Sequence, residues 1–138
     1  MRGAELLTIS AEIDEIPKVS AVLEGLMQAH AFSEEAILDT QLAVEEAVTN
    51  SIVHGYEGRA GKVTVAFRIT RSLAEIQIED DAAPFNPLSI PEPEIDGDLE
   101  ERRIGGLGVF LIRQVMDEVV YRHENGRNIL SLLKKKKD

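Results

Sequence analysis

A carboxylate and an amide four residues apart are the first candidates for chemistry in this sequence. Glu46 and Asn50 lie in a segment with helical periodicity, where this spacing puts both side chains on one face. A carboxylate and an amide beside apolar neighbours are costly to bury unless each has a partner. The pair is therefore a candidate site, and an exposed polar stripe is the alternative. The roughly opposite side of the segment is apolar, at Ile37, Val44, Val48 and Ile52.

A second candidate is the run of glycines before a later helical segment. Gly106 and Gly108 would let the backbone approach a ligand closely, and a helix N-terminus offers free N–H groups to an anion. The run is neither the dinucleotide fingerprint nor a Walker A loop. By itself the run is weak evidence for a phosphate-binding turn, because glycines also precede helices without binding a ligand.

Two adjacent carboxylates, Asp80 and Asp81, end a predicted strand and form the third candidate. Alternation along a strand points them to opposite faces, so one would face the core and accept from a ligand amino group. An acidic strand cap is the alternative. For His54 we expect a pairing with a carbonyl near a helix end, and contact with a ligand is the alternative. His30 and His123 lack the partner spacing of a metal site.

Periodicity and turn signals predict the elements that must position these residues. Their order predicts a two-layer α/β sandwich with helices on one face of a sheet. The second helix has the clearest start, with Ser33 followed by two glutamates, and Gly55 is its expected stop. The predicted order is a strand (Leu6–Ile9), a helix (Ile16–Leu26), a helix (Ser33 to about Val53), a hairpin (Val63–Ile69 and Ile76–Ile78), a loop (Asp80–Arg103), a helix (Val109–Met116) and a hairpin (Val119–Tyr121 and Ile129–Leu133) around Asn125-Gly126.

The loop between Asp80 and Arg103 has no periodicity, and its prolines exclude a regular helix or a central strand. A loop of this length inside a small domain is more often functional than idle. We therefore expect a functional loop, and a disordered insertion without a role is the alternative.

Length and composition limit the size of the fold and the classes of function that are possible for this chain. The chain has 138 residues, of which 43% are hydrophobic, which predicts one domain with its own core. A net charge of −10 disfavours binding to nucleic acid and fits solubility or a basic protein partner. The lack of cysteine excludes disulfides and thiolate metal sites, and no apolar run is long enough to span a membrane. A soluble cytoplasmic protein is expected, with residues 134–137 as a solvated lysine tail.

Three blocks of this sequence, taken in order, carry a family resemblance. It resembles the histidine-kinase-like ATPases (GHKL), the group with the Bergerat ATP-binding fold, and more narrowly the bacterial anti-sigma-factor serine/threonine kinases. The resemblance covers about residues 5 to 134. It implies an α+β fold, a two-layer α/β sandwich with a mostly antiparallel mixed sheet, as one domain over residues 1–138 with an ATP lid at about 82–104. The blocks are QLAVEEAVTNSIVHGY at 41–56, EDDAAPFNP at 79–87 and IGGLG at 104–108.

The resemblance also implies roles for individual residues, all within a site for ATP and Mg²⁺. Asn50 matches the asparagine that holds Mg²⁺ against the phosphates, and Glu46 matches the proposed general base. Asp80 matches the aspartate that recognises the adenine amino group. The remaining nucleotide-binding positions would be the backbone of Gly106, Leu107 and Gly108 at the phosphates, and Arg103 or Arg102 as positive charge beside the transferring phosphoryl group.

Two positions depart from the family pattern. Ala82 stands where the family usually has glycine, and we expect it to restrict the backbone and crowd the adenine. Asn128 stands near the place where relatives often have a threonine that reaches a phosphate. Whether Asn128 replaces that threonine is open at this point.

The resemblance implies an ATP-dependent kinase that phosphorylates an anti-sigma-factor antagonist and sequesters a sigma factor in the bacterial cytoplasm. Its partners would be these two proteins, with neither nucleic acid nor membrane, and a homodimer is a further expectation because relatives of this type are commonly dimers. A non-catalytic regulatory module, nucleotide-dependent or nucleotide-free, is the first alternative. A phosphorelay histidine-kinase ATPase domain is the second, and the short length and the lack of an upstream helical hairpin with a phosphoacceptor histidine argue against it.

Overall fold

The computed structural model describes residues 3–89 and 107–137. The order of helices and strands is the one that the periodicity predicts. The elements of the described residues are β1 (Glu5–Ser10), α1 (Ile16–Ala29), α2 (Glu34–Asn50), β2 (Lys62–Ile69), β3 (Leu73–Asp80), α3 (Leu107–Val115), β4 (Glu118–Glu124) and β5 (Arg127–Lys135), with short helical turns at Ile13–Glu15, Ser51–Tyr56 and Pro87–Ser89.

The five strands form one sheet in the order β1-β2-β3-β5-β4. All four pairings are antiparallel, so the sheet in the described part of the chain lacks the parallel pair that a mixed sheet would have. The reason is that β2–β3 and β4–β5 are hairpins and that the connection through α1 and α2 reverses the chain between β1 and β2. The connection through α3 leaves β4 running in the same direction as β3, but β5 lies between these two strands, so they do not pair. The register places Asp80 opposite Asn128 on β5, which decides the geometry of the site.

One face of this sheet packs against the helices. Alternate residues of the strands point to that face, while α2 lies between α1 and α3. Burying each large apolar side chain contributes about 1.5–3 kcal/mol of stabilisation. Within the described residues, no helix is long and apolar enough to cross a membrane. The buried contacts include Val63, Val65, Phe67, Ile76, Ile78, Leu130 and Leu132 from the sheet and Val19, Leu23, Met27, Val44 and Val48 from the helices.

Local signals in the sequence fix the start of α2 and the last hairpin. The Ser33 hydroxyl accepts a hydrogen bond from the backbone N–H of Ala36 at 3.1 Å, which caps the helix. Asn125 and Gly126 both adopt positive φ, 54° and 77°, as a two-residue hairpin turn requires. Both predictions are confirmed.

The end of α2 differs from the prediction of an α-helix running to about Val53. The α-helix ends at Asn50, and a π-helical turn follows over Ser51–Tyr56. Ser51 and Gly55, at the start and near the end of this turn, both face the carboxylate of Asp80 because the π turn is wider than an α-helical turn. The turn ends at Glu57, which has a left-handed φ of 53°.

The lysines near the C-terminus are not a solvated tail, and this interpretation was wrong for Lys134 and Lys136. Strand alternation carries Lys134 to the helix-facing side, where it is 8% exposed. Its Nζ donates to the carbonyl of Val115 at 2.5 Å and lies 3.5 Å from Asp39 Oδ2. Lys136 Nζ donates to the carbonyl of His30 at 3.0 Å. These partners compensate for the loss of water around the ammonium groups.

We predict that Lys134→Ala lowers the free energy of unfolding by about 1–3 kcal/mol, because it removes a buried donor from Val115 and leaves Asp39 unpaired. Urea denaturation measures this change. Lys135→Ala is the matched control, since the Lys135 side chain is exposed, and it should stay within about 0.5 kcal/mol of the parent. Equal effects of the two substitutions would contradict the buried role of Lys134.

Candidate functional site

Glu46 and Asn50 face the first turn of α3 at Gly108. A Cβ built on Gly108 would lie 2.7 Å from Glu46 Oε2 and 3.7 Å from Asn50 Nδ2. Glycine therefore lets the start of α3 approach the carboxylate and the amide of α2 more closely than any other residue would allow. Two of the three predicted candidates thus meet at one place in the fold.

Glu46 is half-buried at this contact. Burial raises the pKa of its carboxyl above the ordinary value, and the charge of neighbouring Glu45 raises it further. Glu45 itself is fixed by the Ser20 hydroxyl, which donates to its Oε1 at 2.6 Å. A carboxylate with increased proton affinity is better suited to accept a proton from a hydroxyl group. Glu46 also lines an open groove of about 530 Å³ between α1 and α2.

Asn50 carries a buried donor that is not used within the described residues. Its Nδ2 has no hydrogen-bond partner there, which is costly for an amide nitrogen. A phosphate oxygen would supply the acceptor, and the other atom of the amide, Oδ1, is an oxygen ligand of the kind that Mg²⁺ prefers. The residues present therefore fit a magnesium-bound nucleotide.

Asp80 is buried, 9% exposed, and is held by three donors. Its Oδ1 accepts from the Ala82 N–H at 3.0 Å and from Asn128 Nδ2 at 2.8 Å, and its Oδ2 accepts from the Ser51 hydroxyl. Because a carboxylate oxygen accepts about two hydrogen bonds, Oδ2 keeps capacity for one more donor. Asp81 points the other way, is exposed, and accepts from the Tyr56 hydroxyl at 2.8 Å. The predicted opposite orientation of the two aspartates is confirmed.

A cavity of about 30 Å³ joins Asp80 to Asn50 and is also lined by Phe85, Tyr121 and Asn128. This volume holds about two waters, so the cavity in this conformation is too small for a purine ring. The Phe85 ring stacks on His54, with centroids 6.0 Å apart and an interplanar angle of 27°. His54 therefore contacts the loop, and the expected carbonyl pairing is not among the contacts of the described residues.

Ala82 occupies its position without backbone strain. Among the described non-glycine residues, positive φ occurs only at Ala31, Glu57 and Asn125, so a Cβ is tolerated at position 82. That Cβ lies 3.3 Å from a Cβ built on Gly55. Glycine at position 55 therefore leaves room for the Ala82 side chain beside the π turn, and the expected crowding of an adenine by Ala82 stays a prediction.

Several predicted residues lie outside the described part of the chain. These are Arg102, Arg103 and Gly106, together with positions 90–104 of the predicted lid. Leu107 opens α3. Sequence analysis missed Ser51 and Tyr121, whose hydroxyls donate to Asp80 and to Asn128. Strand alternation could have identified Tyr121, because its partner Leu130 points to the helix-facing side of the sheet and Tyr121 therefore points there too.

The family signature of the histidine kinase-like ATPase domain matches residues 9–134. The chain belongs to this family. Within it, the chain is similar to the serine-protein kinase RsbW of Listeria innocua, at 36% identity over 113 residues, covering 78% of this chain and 72% of that protein. It is 25% identical over 128 residues to the RsbW kinase of Bacillus mycoides, covering 90% of this chain and 80% of that protein.

Solved structures support the fold. The structure of the RsbU and RsbW domains of a Mycobacterium tuberculosis protein matches with a TM-score of 0.68 at 18% identity, over 96% of this chain and 32% of that chain. A blue-light activated histidine kinase domain from Erythrobacter litoralis matches with a TM-score of 0.51 at 14% identity, over 88% and 59%. The predicted family and its α+β sandwich are therefore confirmed.

We predict that Gly108→Ala displaces the Glu46 carboxylate without unfolding the protein. The new Cβ would meet the end of a flexible side chain, which turns away toward the open groove between α1 and α2. The pKa of Glu46 should then fall toward its ordinary value, because burial is the main cause that raises it. Carboxyl ¹³C NMR titration measures this pKa.

The matched control is Gly25→Ala in α1, where a Cβ meets open space. It should leave the pKa of Glu46 unchanged and raise the free energy of unfolding by about 0.5–1 kcal/mol. An unchanged Glu46 titration in the Gly108→Ala variant would contradict the close approach of α3 to α2.

Proposed function

We propose that this chain is an ATP-dependent protein serine/threonine kinase of the bacterial cytoplasm that phosphorylates an anti-sigma-factor antagonist. While the antagonist is phosphorylated and released, the chain would hold a sigma factor inactive. The observation that carries this proposal is the convergence of Glu46, Asn50 and Gly108 beside a cavity that ends at Asp80. The RsbW relatives, which are named serine-protein kinases, support the same function.

The site supplies a consistent set of roles for phosphoryl transfer. Asp80 would accept from the adenine amino group through Oδ2, and the start of α3 would face the phosphates at Gly108. Glu46 would take the proton of a serine or threonine hydroxyl as its oxygen bonds to the γ-phosphorus. The bond from that phosphorus to the β–γ bridging oxygen breaks, and ADP leaves.

Asn50 is the residue that would hold Mg²⁺, through Oδ1, with phosphate oxygens and water as the other ligands. When bound, the ion supplies charge neutralisation to the phosphates. The buried Nδ2 of Asn50 gains an acceptor in the same complex. Three further assignments are part of this proposal. Residues 82–104 form the ATP lid, residues 1–138 form a single domain, and the chain forms a homodimer.

The direct test is incubation of the chain with γ-³²P-labelled ATP and an extract of its native cells. We expect one small protein to become labelled with an acid-stable phosphate, as serine or threonine esters are. Acid-labile labelling would favour a phosphorelay kinase. Bound nucleotide with no labelled protein would favour a non-catalytic regulatory module and contradict the proposed activity.

We predict that Asn50→Ala lowers the affinity for Mg-ATP at least about tenfold, because it removes a contact to the metal and its phosphates. Isothermal titration calorimetry measures this affinity. Glu46→Gln should keep ATP binding and lose phosphate transfer, since an amide cannot accept the hydroxyl proton.

The matched control for both substitutions is Glu35→Gln, an exposed position in the first turn of the same helix. It should leave binding and transfer at parent values. Unchanged Mg-ATP affinity in the Asn50 variant would remove Asn50 from the site, and full transfer by the Glu46 variant would refute its role as base.

We predict that the rate of phosphate transfer decreases at acidic pH, and that this decrease occurs at a pH above the ordinary pKa of a glutamate side chain. Glu46 must be ionised to act as base, and its raised pKa means that it protonates earlier as the pH falls. Glu45→Gln removes a like charge, so it should lower the pKa of Glu46 and move this acidic limb to lower pH. Initial rates across the mildly acidic range measure the shift, and an unmoved limb would exclude Glu46 as the titrating group.

A further inference from the structure

Asn128 is buried at the base end of the cavity, where its amide contacts Asp80, Tyr121 and the loop after β3. We propose that Asn128 is a positioning residue that sets the selectivity for the adenine amino group by fixing the carboxylate of Asp80. This inference rests on the proposed function, since it concerns how the same site recognises its nucleotide. Asn128 is 6% exposed and stands opposite Asp80 in the register of β5 and β3.

The orientation of the Asn128 amide is determined by its neighbours. Its Oδ1 accepts from the Tyr121 hydroxyl at 2.5 Å and from the backbone N–H of Phe85 at 3.1 Å. The backbone N–H of Phe85 can only donate, so the oxygen of the amide must lie on this side, where the Tyr121 hydroxyl can donate to it as well. The nitrogen is therefore turned toward Asp80, whose Oδ1 it reaches at 2.8 Å.

This contact controls which oxygen of Asp80 is available to a ligand. The bonds from Asn128 and from the Ala82 N–H occupy Oδ1, whereas Oδ2 accepts only from the Ser51 hydroxyl within the described residues. The carboxylate therefore has one acceptor position left, at Oδ2, and only a hydrogen-bond donor can fill it. A ligand with an amino group satisfies it, and a ligand with a carbonyl oxygen or no group at that position does not.

Asn128 also joins the base-recognising carboxylate to the loop that closes the cavity. Its Nδ2 lies 3.1 Å from the carbonyl of Ala83 and 3.3 Å from that of Ala82, in addition to its bond to Asp80. An asparagine amide offers two N–H donors and one acceptor, whereas a threonine hydroxyl has a single donor. Asn128 can therefore hold Asp80 and the loop at once.

The test compares two nucleotides that differ only at the adenine amino group. Affinities for ATP and for purine riboside 5′-triphosphate, which lacks the 6-amino group, are measured by calorimetry for the parent, Asn128→Ala and Asn128→Thr. In the parent, ATP should bind about tenfold or more tightly than the analogue, the ratio expected for one hydrogen bond to a carboxylate. Asn128→Ala should lower ATP affinity and leave analogue affinity nearly unchanged, so that the ratio approaches one.

Asn128→Thr keeps one donor and should retain an intermediate ratio, which makes the proposal testable if the alanine variant does not fold. Ser131→Ala is the matched control, because Ser131 lies on the same strand and its side chain points to the opposite face of the sheet. It should leave both affinities at parent values. Circular dichroism confirms that each variant keeps its secondary structure.

A double-substitution cycle separates positioning from general support of the cavity. If Asn128 acts through Asp80, then Asn128→Ala should not change ATP affinity further in an Asp80→Ala background. Additive losses, equal losses for both nucleotides, or an unmoved ratio would overturn the inference. A parent chain that binds neither nucleotide would overturn the proposed function itself, whereas a parent that binds ATP with an unmoved ratio overturns only the role of Asn128.

Discussion

The charge of Asp80, buried on the helix-facing side of the sheet, is the constraint on which the arrangement of the site depends. A carboxylate in this position must be compensated by hydrogen bonds, and three separate segments supply them. Ser51 reaches it from the π turn, Ala82 from the bend after β3, and Asn128 from the paired strand. The same bonds that stabilise the charge therefore hold together the base end of the cavity.

The other end of the cavity is organised by close approach instead of hydrogen bonding. Gly108 brings the start of α3 against Glu46, while Asn50 keeps a buried donor without an acceptor in the described residues. The base end is thus held by internal hydrogen bonds that leave one acceptor position at Asp80 Oδ2, and the other end has an unpaired donor at Asn50 within the described residues. These two ends suit the two parts of a nucleotide. The base needs a fixed hydrogen-bond partner, and the phosphates need free donors and a cation.

Much of this arrangement was predictable from the sequence, because its signals are local. The cap at Ser33 and the opposite orientation of Asp80 and Asp81 depend on neighbouring residues alone. The π turn after Asn50 was not predictable, since helical periodicity does not distinguish α from π geometry over one turn. Lys134 was misinterpreted because its charge suggested solvent, whereas its strand register and the carbonyl at the end of α3 decide its burial.

The anchoring of Lys134 has a mechanical consequence for α3. The helix is pinned at its last residue, Val115, by an ammonium group from the final strand, while its first turn abuts the carboxylate of Glu46. The last strand thus stabilises the C-terminal end of α3 through a buried ammonium group that also lies near Asp39 of α2, whereas the first turn of the helix packs against the side chain of Glu46.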